Sequence, residues 1–152
     1  MSSSLRSTST RTFVALPVVA ALESIVQRRR PKPAFLLLLP WGYLQYKLCG
    51  RYRTRHGGGG PGMSKPPERV VTTGPYAVSR NPMYLGHVVF LTGLSLATRS
   101  RLVALITVLL LPWFDARARE DEKRLVEIFG TDYESYRDSV PRWLGLVPAV
   151  RR

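Results

Sequence analysis

Four stretches of the chain are rich in hydrophobic residues and carry no charged side chain. They cover residues 12–22, 33–46, 81–98 and 102–114. The third comes closest to the roughly 20 residues that a helix needs to cross a bilayer. Only three residues separate the third stretch from the fourth, so these two helices must form a tight antiparallel hairpin. The pattern predicts an all-α protein, an integral membrane bundle of about four transmembrane helices.

The first stretch admits two interpretations. It has only eleven residues before Glu23, and the Ser- and Thr-rich residues 1–11 ahead of it are typical of a targeting peptide. No cleavage site of the Ala-x-Ala kind follows cleanly, which favours a retained transmembrane segment. Whether residues 12–27 cross the membrane completely stays open at this point.

Glycine and proline mark a loop between the second and third stretches. Residues 57–62 hold five glycines and one proline, which cannot form regular structure cheaply. They do not resemble a phosphate-binding loop, because no strand precedes them and no Gly-Lys-Ser/Thr follows. We therefore predict a flexible basic loop at residues 51–72. It separates N-terminal membrane segments, residues 1–50, from a C-terminal membrane region, residues 73–152.

The helical pattern of the fourth stretch continues past the membrane to Phe129, where Gly130 is placed to end it. Charged residues of this extension are spaced to pair on its surface, Arg117 with Asp121 or Arg119 with Glu122.

A short C-terminal interfacial helix is predicted next. Thr131 and Glu134 have the spacing of a capping box, and the helix runs toward Ser139, before Pro141. Three apolar or aromatic residues share one side of it, Tyr133, Tyr136 and Val140. That side can lie against the membrane surface or against the body of the protein.

The charge of the chain agrees with a membrane partner. A net charge of +13 and a pI near 10.9 suggest either nucleic acid or an anionic membrane. The basic residues cluster at 28–32 and 47–55, between uncharged stretches, which is typical of juxtamembrane loops. We therefore expect a bilayer and no nucleic acid. A single cysteine, Cys49, excludes an internal disulfide, and with only two histidines we expect no metal site.

Two polar segments beside the predicted spans are candidates for the chemistry, since charged groups at membrane depth are costly. The first is residues 73–86, in which Asn81 can cap the third helix and Pro82 suits its first position. The helix start can then face an anionic group. Gly86 and Gly93 leave one helix face bare for a cofactor or another helix. The second is the acidic run at residues 120–122, which can hold a cation or simply pair with nearby arginines.

These two segments together resemble the isoprenylcysteine carboxyl methyltransferase family and its phospholipid methyltransferase relatives. The resemblance covers residues 70–148 and is specific because both motifs occur in the right order and separation. The residues that carry it are Gly74, Pro75, Tyr76, Arg80, Asn81, Pro82, Met83, Tyr84, Leu85, Gly86, Asp121, Glu122, Leu125, Phe129, Gly130, Tyr133, Tyr136, Val140 and Pro141.

The resemblance implies a membrane methyltransferase that uses S-adenosylmethionine and a lipophilic or lipid-linked acceptor. It implies catalytic roles for Arg80 and Glu122. It further implies that the cofactor is bound by Gly74, Pro75, Tyr76, Asn81, Pro82, Tyr84, Leu85, Gly86, Asp121 and Glu122.

Two departures from the family pattern affect the predicted mechanism. Asn81 stands where the family most often has histidine, and Asp121 stands for the first acid of a Glu-Glu pair. Asn cannot act as a general base at neutral pH, so Asn81 is expected to bind cofactor. Arg80 can orient a carboxylate acceptor with its planar fork. If the acceptor is an amine or a thiol, Glu122 becomes the candidate base.

Other functions and roles stay open on the sequence alone. A membrane reductase with a nicotinamide cofactor and a non-catalytic basic lipid-binding protein are the alternatives. We expect His87 to serve in packing or an interhelical hydrogen bond, and Trp113 and Trp143 to be interface anchors. We expect the cofactor site to face the cytoplasm, although this places the basic residues 28–32 outside, against the usual charge bias.

Overall fold

The computed structural model describes residues 8–60 and 65–144, and every regular element in that part of the chain is helical. Three predicted features fall partly outside the described residues: the lead-in at residues 1–11, the end of the glycine-rich run at 57–62, and the end of the region of resemblance at residue 148. The all-α prediction is confirmed for the described part.

The described residues form five helices and two short 3-10 turns, joined by loops. The 3-10 turns are Pro33–Phe35 and Gly74–Ala77. The helices are α1 (Thr8–Val26, with a wider π-turn at Arg11–Ala15), α2 (Leu38–Gly57), α3 (Pro82–Thr98), α4 (Arg101–Phe129) and α5 (Thr131–Ser139).

Helix α2 runs further than the sequence analysis predicted. Its end at Gly57 makes residues 51–57 helical, so the predicted start of the loop at residue 51 was wrong. The reason is local, because residues 51–56 contain neither Gly nor Pro and their arginines favour helix. Gly58 and Gly59 then take positive φ angles of 71° and 73°, which a residue with a side chain rarely adopts.

Helices α3 to α5 begin and end close to the predicted positions. Pro82 is the first residue of α3, and α4 continues without a break to Phe129. Gly130 separates α4 from α5 with a positive φ of 54°. The predicted capping box was wrong: α5 starts at Thr131 itself, and its start has no side-chain cap.

The chain divides into two compact units. Unit 1 joins Met1–Tyr46 to Tyr84–Trp113, and unit 2 joins Lys47–Met83 to Phe114–Arg152. The apolar stretches predicted as spans belong almost entirely to unit 1. Within the described residues, Thr8–Val26 is long and apolar enough to cross a membrane, and Pro82–Thr98 is a shorter apolar helix. The four-span bundle predicted from the sequence is thus not confirmed by helix length and composition.

Within unit 1, helices α2 and α3 approach backbone to backbone. A Cβ atom on Gly42 would lie 2.5 Å from the Phe90 amide nitrogen, and one on Gly86 would lie 2.8 Å from the Gly42 carbonyl oxygen. A Cβ atom on Gly93 would lie 2.5 Å from the Cβ of Leu38. The bare face that Gly86 and Gly93 leave is therefore covered by a helix, one of the two occupants that the sequence allowed.

Gly42→Ala is expected to destabilise the protein by about 1–3 kcal/mol, because the new methyl group meets backbone atoms that cannot move independently. Gly50→Ala is the matched control on the same helix, since its methyl group meets only the flexible end of Met83, 3.2 Å away. This control should be neutral, or stabilising by up to about 1 kcal/mol. Thermal unfolding of both variants in detergent checks the difference, and equal midpoints would contradict the close helix approach.

His87 lies buried in an aromatic cluster of unit 1. Its ring centroid is 4.8 Å from that of Phe13 and 4.7 Å from that of Tyr46. Phe13 also meets Phe90 edge to face. The packing role predicted for His87 agrees with these contacts.

The two inter-helix loops of unit 1 are joined by hydrogen bonds. The Lys32 amide donates to the Ala97 carbonyl at 2.7 Å, and the Arg29 guanidinium donates to the Arg99 carbonyl. Glu23 accepts from the Ser100 hydroxyl. The loop after α1 and the loop after α3 therefore lie at one end of unit 1.

The core of unit 2 is built around tyrosines. Its buried members are Cys49, Tyr76, Tyr133, Tyr136 and Val140. The Tyr136 hydroxyl donates to the Tyr76 carbonyl at 2.7 Å, and burial raises the pKa of Tyr136 well above its usual value, so this hydroxyl stays a neutral donor. The sequence allowed α5 to pack against the membrane surface or against the body of the protein. In the structure, its residues Tyr133 and Tyr136 pack in the core of unit 2, so the second possibility is the one observed.

Candidate active site

Glu122 is the centre of a polar cluster in unit 2. The side chain lies on α4, and the residue is only 6% exposed. Arg142 binds it with two parallel hydrogen bonds, Nε to Oε1 at 3.0 Å and Nη2 to Oε2 at 2.9 Å. Arg80 Nη2 lies 3.4 Å from Oε1, and Asn81 Nδ2 donates to the same oxygen at 3.3 Å. The carboxylate is therefore surrounded by two guanidiniums and an amide.

The turn before α3 places Arg80. Gly74 has a positive φ of 59°, and a Cβ atom there would lie 2.6 Å from the ring of Tyr52, so this turn needs glycine. The Arg80 amide donates to the Pro141 carbonyl at 3.0 Å, and its Nη1 donates to the Arg137 carbonyl at 3.2 Å. Its side chain is only 7% exposed.

One donor of Arg80 remains available. Its Nε is buried and has no hydrogen-bond partner among residues 8–60 and 65–144. Because a buried donor without a partner is costly, this atom is a fitting contact for an anionic ligand group.

Asn81 joins the start of α3 to the C-terminal segment. Its side-chain amide donates to the Arg142 carbonyl at 3.3 Å as well as to Glu122. The Ser79 hydroxyl donates to the same carbonyl at 3.2 Å. Asn81 therefore acts here through hydrogen bonds, as its chemistry suggested.

Arg142 was missed by the sequence analysis, although it directly follows the Val140-Pro141 pair that carries the resemblance. Its Nη1 lies 3.5 Å from Asp115 Oδ1, which also accepts from the Trp143 indole at 3.0 Å. The hydrogen bonds to Glu122 raise the pKa of Arg142. The Trp143 hydrogen bond, against a smaller opposing effect of burial, lowers the pKa of Asp115. Trp143, predicted as an interface anchor, thus holds Asp115 as well.

Charged neighbours of Glu122 on α4 form ion pairs along the helix. Asp121 Oδ1 lies 3.9 Å from Arg117, the pairing that the sequence predicted. The predicted pair of Arg119 with Glu122 was wrong. Arg119 binds Asp115 at 2.8 Å instead, and Glu122 is held by Arg80 and Arg142.

The predicted site residues are distributed over both units. Unit 2 brings Arg80, Asn81 and Glu122 together. Tyr76 lies in the core of unit 2, where its hydroxyl donates to the Cys49 carbonyl at 3.4 Å. Tyr84, Leu85 and Gly86 are on the part of α3 that belongs to unit 1. The catalytic roles of Arg80 and Glu122 stay predictions, as do the cofactor contacts expected for Gly74, Pro75, Tyr76, Asn81, Pro82, Tyr84, Leu85, Gly86, Asp121 and Glu122.

The arrangement around Glu122 favours binding over proton transfer. A carboxylate that already accepts from two guanidiniums and an amide has few lone pairs left for a substrate proton. Among the described residues Oε2 accepts from Arg142 alone, so it keeps a lone pair for a ligand, and Arg80 supplies a donor for an anion.

Comparison with known proteins agrees with the motifs. Residues 59–132 match the sequence model of the phospholipid methyltransferase family. The protein-S-isoprenylcysteine O-methyltransferase of Schizosaccharomyces pombe is 35% identical over 80 residues, covering 52% of this chain and 34% of the relative. The enzyme of the same name from Saccharomyces cerevisiae is 36% identical over 72 residues, covering 47% of this chain and 30% of the relative.

This chain thus spans about a third of the length of these curated relatives. No solved structure gives a significant match. The matched region contains Arg80, Asn81 and Glu122, the residues that meet in unit 2. Over this region the chain is similar to phospholipid methyltransferases and to protein-S-isoprenylcysteine O-methyltransferases.

Proposed function

We propose that the protein is a membrane methyltransferase that transfers a methyl group from S-adenosylmethionine to the carboxylate of a lipophilic acceptor. The observation that carries the proposal is the contact of Arg80, Asn81 and Arg142 with the buried Glu122, in a chain whose residues 59–132 match the sequence model of a methyltransferase family. The comparisons do not favour the membrane reductase that the sequence left open.

The residues of the cluster fit S-adenosylmethionine. Arg80 Nε is a buried donor with no partner among the described residues, which suits the carboxylate of a methionine moiety. Glu122 offers negative charge to the amino group or the sulfonium. When bound, S-adenosylmethionine would supply the methyl group, which the acceptor would take by direct displacement, with S-adenosylhomocysteine as the leaving group. The tasks left to Arg80, Asn81 and Glu122 are to bind, to orient and to keep water away.

The contacts of Glu122 with Arg80 and Arg142 support a carboxylate as the methyl acceptor. An amine or a thiol must lose a proton, and Glu122, the base that the sequence suggested, is occupied by Arg80 and Arg142. A carboxylate is already a nucleophile at neutral pH and needs no base. The two relatives are named as O-methyltransferases of isoprenylcysteine, and for this chain we propose an acceptor of that chemistry, an apolar chain ending in a carboxylate.

The surface of unit 1 supports its insertion in a bilayer. Large hydrophobic side chains that are exposed in the described residues belong to unit 1, except for Leu48, Val78, Ile128 and Leu144. An apolar surface of this extent needs lipid or a partner to cover it. We propose that the membrane-facing parts of α1 to α4 form a four-helix membrane bundle, and that the site faces the cytoplasm, where S-adenosylmethionine is made.

Methyl transfer with labelled S-adenosylmethionine tests the choice of acceptor. Purified protein in detergent is offered an S-prenylated cysteine derivative, phosphatidylethanolamine or a small thiol. We expect label in the prenylated carboxylate, released by mild alkali as methanol because the product is an ester. Alkali-stable label in phosphatidylethanolamine would replace the carboxylate by an amine acceptor. Label in none of them, with no binding of S-adenosylmethionine, would contradict the proposed function.

A further inference from the structure

We infer that Arg142 is a positioning residue of the site, which holds the Glu122 carboxylate in the orientation needed for S-adenosylmethionine. The inference rests on the proposed function. Arg142 lies outside residues 59–132, the region that matches the family, so the match does not extend to it. Its contacts come from the structure alone.

The geometry makes Arg142 the group that sets the plane of the carboxylate. It contacts both oxygens of Glu122, at 3.0 Å and 2.9 Å, whereas Arg80 and Asn81 reach only Oε1, at 3.4 Å and 3.3 Å. Two parallel hydrogen bonds from a planar guanidinium fix rotation of the carboxylate as well as its position. Single contacts to one oxygen leave that rotation free.

Arg142 is itself held in place from two sides. Its Nη1 contacts Asp115, which lies two turns before Glu122 on the same face of α4. Its carbonyl accepts hydrogen bonds from Ser79 and Asn81, at 3.2 Å and 3.3 Å. Arg142 therefore links α4 to the start of α3. The placement of its side chain against Glu122 depends on the hydrogen bonds that Ser79 and Asn81 donate to its carbonyl.

A purely structural role is the alternative. Arg142 would then only fasten the C-terminal segment to α4, its loss would lower stability, and any effect on ligand binding would be independent of Glu122. A positioning residue acts through Glu122. Its removal should therefore cost little once the Glu122 carboxylate is gone, which a double-mutant cycle can measure.

The experiment measures the dissociation constant of S-adenosylmethionine, by calorimetry on the full chain in detergent, for five proteins and one control. They are the wild type, Arg142→Lys, Arg142→Gln, Glu122→Gln and the double variant Arg142→Gln/Glu122→Gln. Arg119→Gln is the control, since it removes an exposed partner of Asp115 and has no contact with Glu122. Thermal unfolding of each protein reports stability separately.

We expect Arg142→Lys and Arg142→Gln to weaken binding about tenfold, because lysine keeps the charge and loses the fork. The double variant should bind no more weakly than Glu122→Gln alone, and Arg119→Gln should bind as the wild type does.

Three results overturn the inference. If the effects of Arg142→Gln and Glu122→Gln multiply, or if Arg142→Lys binds normally, Arg142 is a structural clasp and the proposed function stands. If the folded wild type binds no S-adenosylmethionine, the proposed function fails, and the positioning role fails with it.

Discussion

Glu122→Gln is expected to weaken the binding of S-adenosylmethionine and slow methyl transfer by about ten- to a hundredfold together. The substitution keeps the size of the side chain and removes its charge, and a charge-assisted contact contributes about 1.5–3 kcal/mol. It also leaves the guanidiniums of Arg80 and Arg142 without their shared anion, which costs stability. Rates must therefore be expressed per folded protein, with thermal unfolding measured alongside.

Glu120→Gln is the matched control for this substitution. Glu120 lies two residues earlier on α4, is exposed, and within residues 8–60 and 65–144 pairs only with Arg117, at 2.8 Å. We expect it to leave both binding and rate unchanged. Asp121→Asn should cause a smaller loss than Glu122→Gln. A larger loss for Asp121→Asn would show that Asp121, and not Glu122, is the functional acid.

Arg80→Lys is expected to lower methyl transfer at least about tenfold, equivalent to about 1.4 kcal/mol of transition-state stabilisation. Lysine retains the charge, yet it cannot reach Glu122 and the Arg137 carbonyl and still present the Nε donor. An arginine that merely anchors a span to lipid phosphates would be replaced by lysine without loss. The side chain is only 7% exposed, which does not suit such an anchor.

Arg119→Lys provides the comparison for Arg80→Lys. The Arg119 side chain is 62% exposed and pairs with Asp115 on the helix surface. It should tolerate lysine with full activity. If purified Arg80→Lys protein keeps its full rate with every acceptor that the wild type accepts, Arg80 is not part of the catalytic site.

Features that depend on local sequence were predictable. The start of α3 at Pro82 and the break at Gly130 follow from residues whose backbone preferences are strong. One side of the contact between α2 and α3 was predictable, because Gly86 and Gly93 leave a bare face on α3. The other side was not, since only the structure shows that Gly42 and Leu38 of α2 cover this face. The prediction of a capping box at Thr131 was wrong because Gly130 takes the N-cap position of α5.

Features that depend on contacts distant in sequence were not predictable from spacing. Helical spacing assigned Arg119 to Glu122, whereas Arg142, twenty residues away, takes both oxygens of that carboxylate. An arginine after Val140-Pro141 carries no local signal that it folds back on α4. Pairs spaced along one helix can be found by counting, but the return of a chain segment to that helix is decided by tertiary packing.

Photochemical cross-linking of labelled S-adenosylmethionine tests the central claim, that the Arg80–Glu122–Arg142 cluster of unit 2 is its binding site. The wild-type protein is irradiated with the labelled compound, digested, and the labelled peptides are identified. We predict saturable label in peptides from the start of α3, the segment around Glu122 or the segment around Arg142, lost in excess S-adenosylhomocysteine and strongly reduced in Glu122→Gln. Saturable label confined to other peptides, unchanged in Glu122→Gln, would contradict the account.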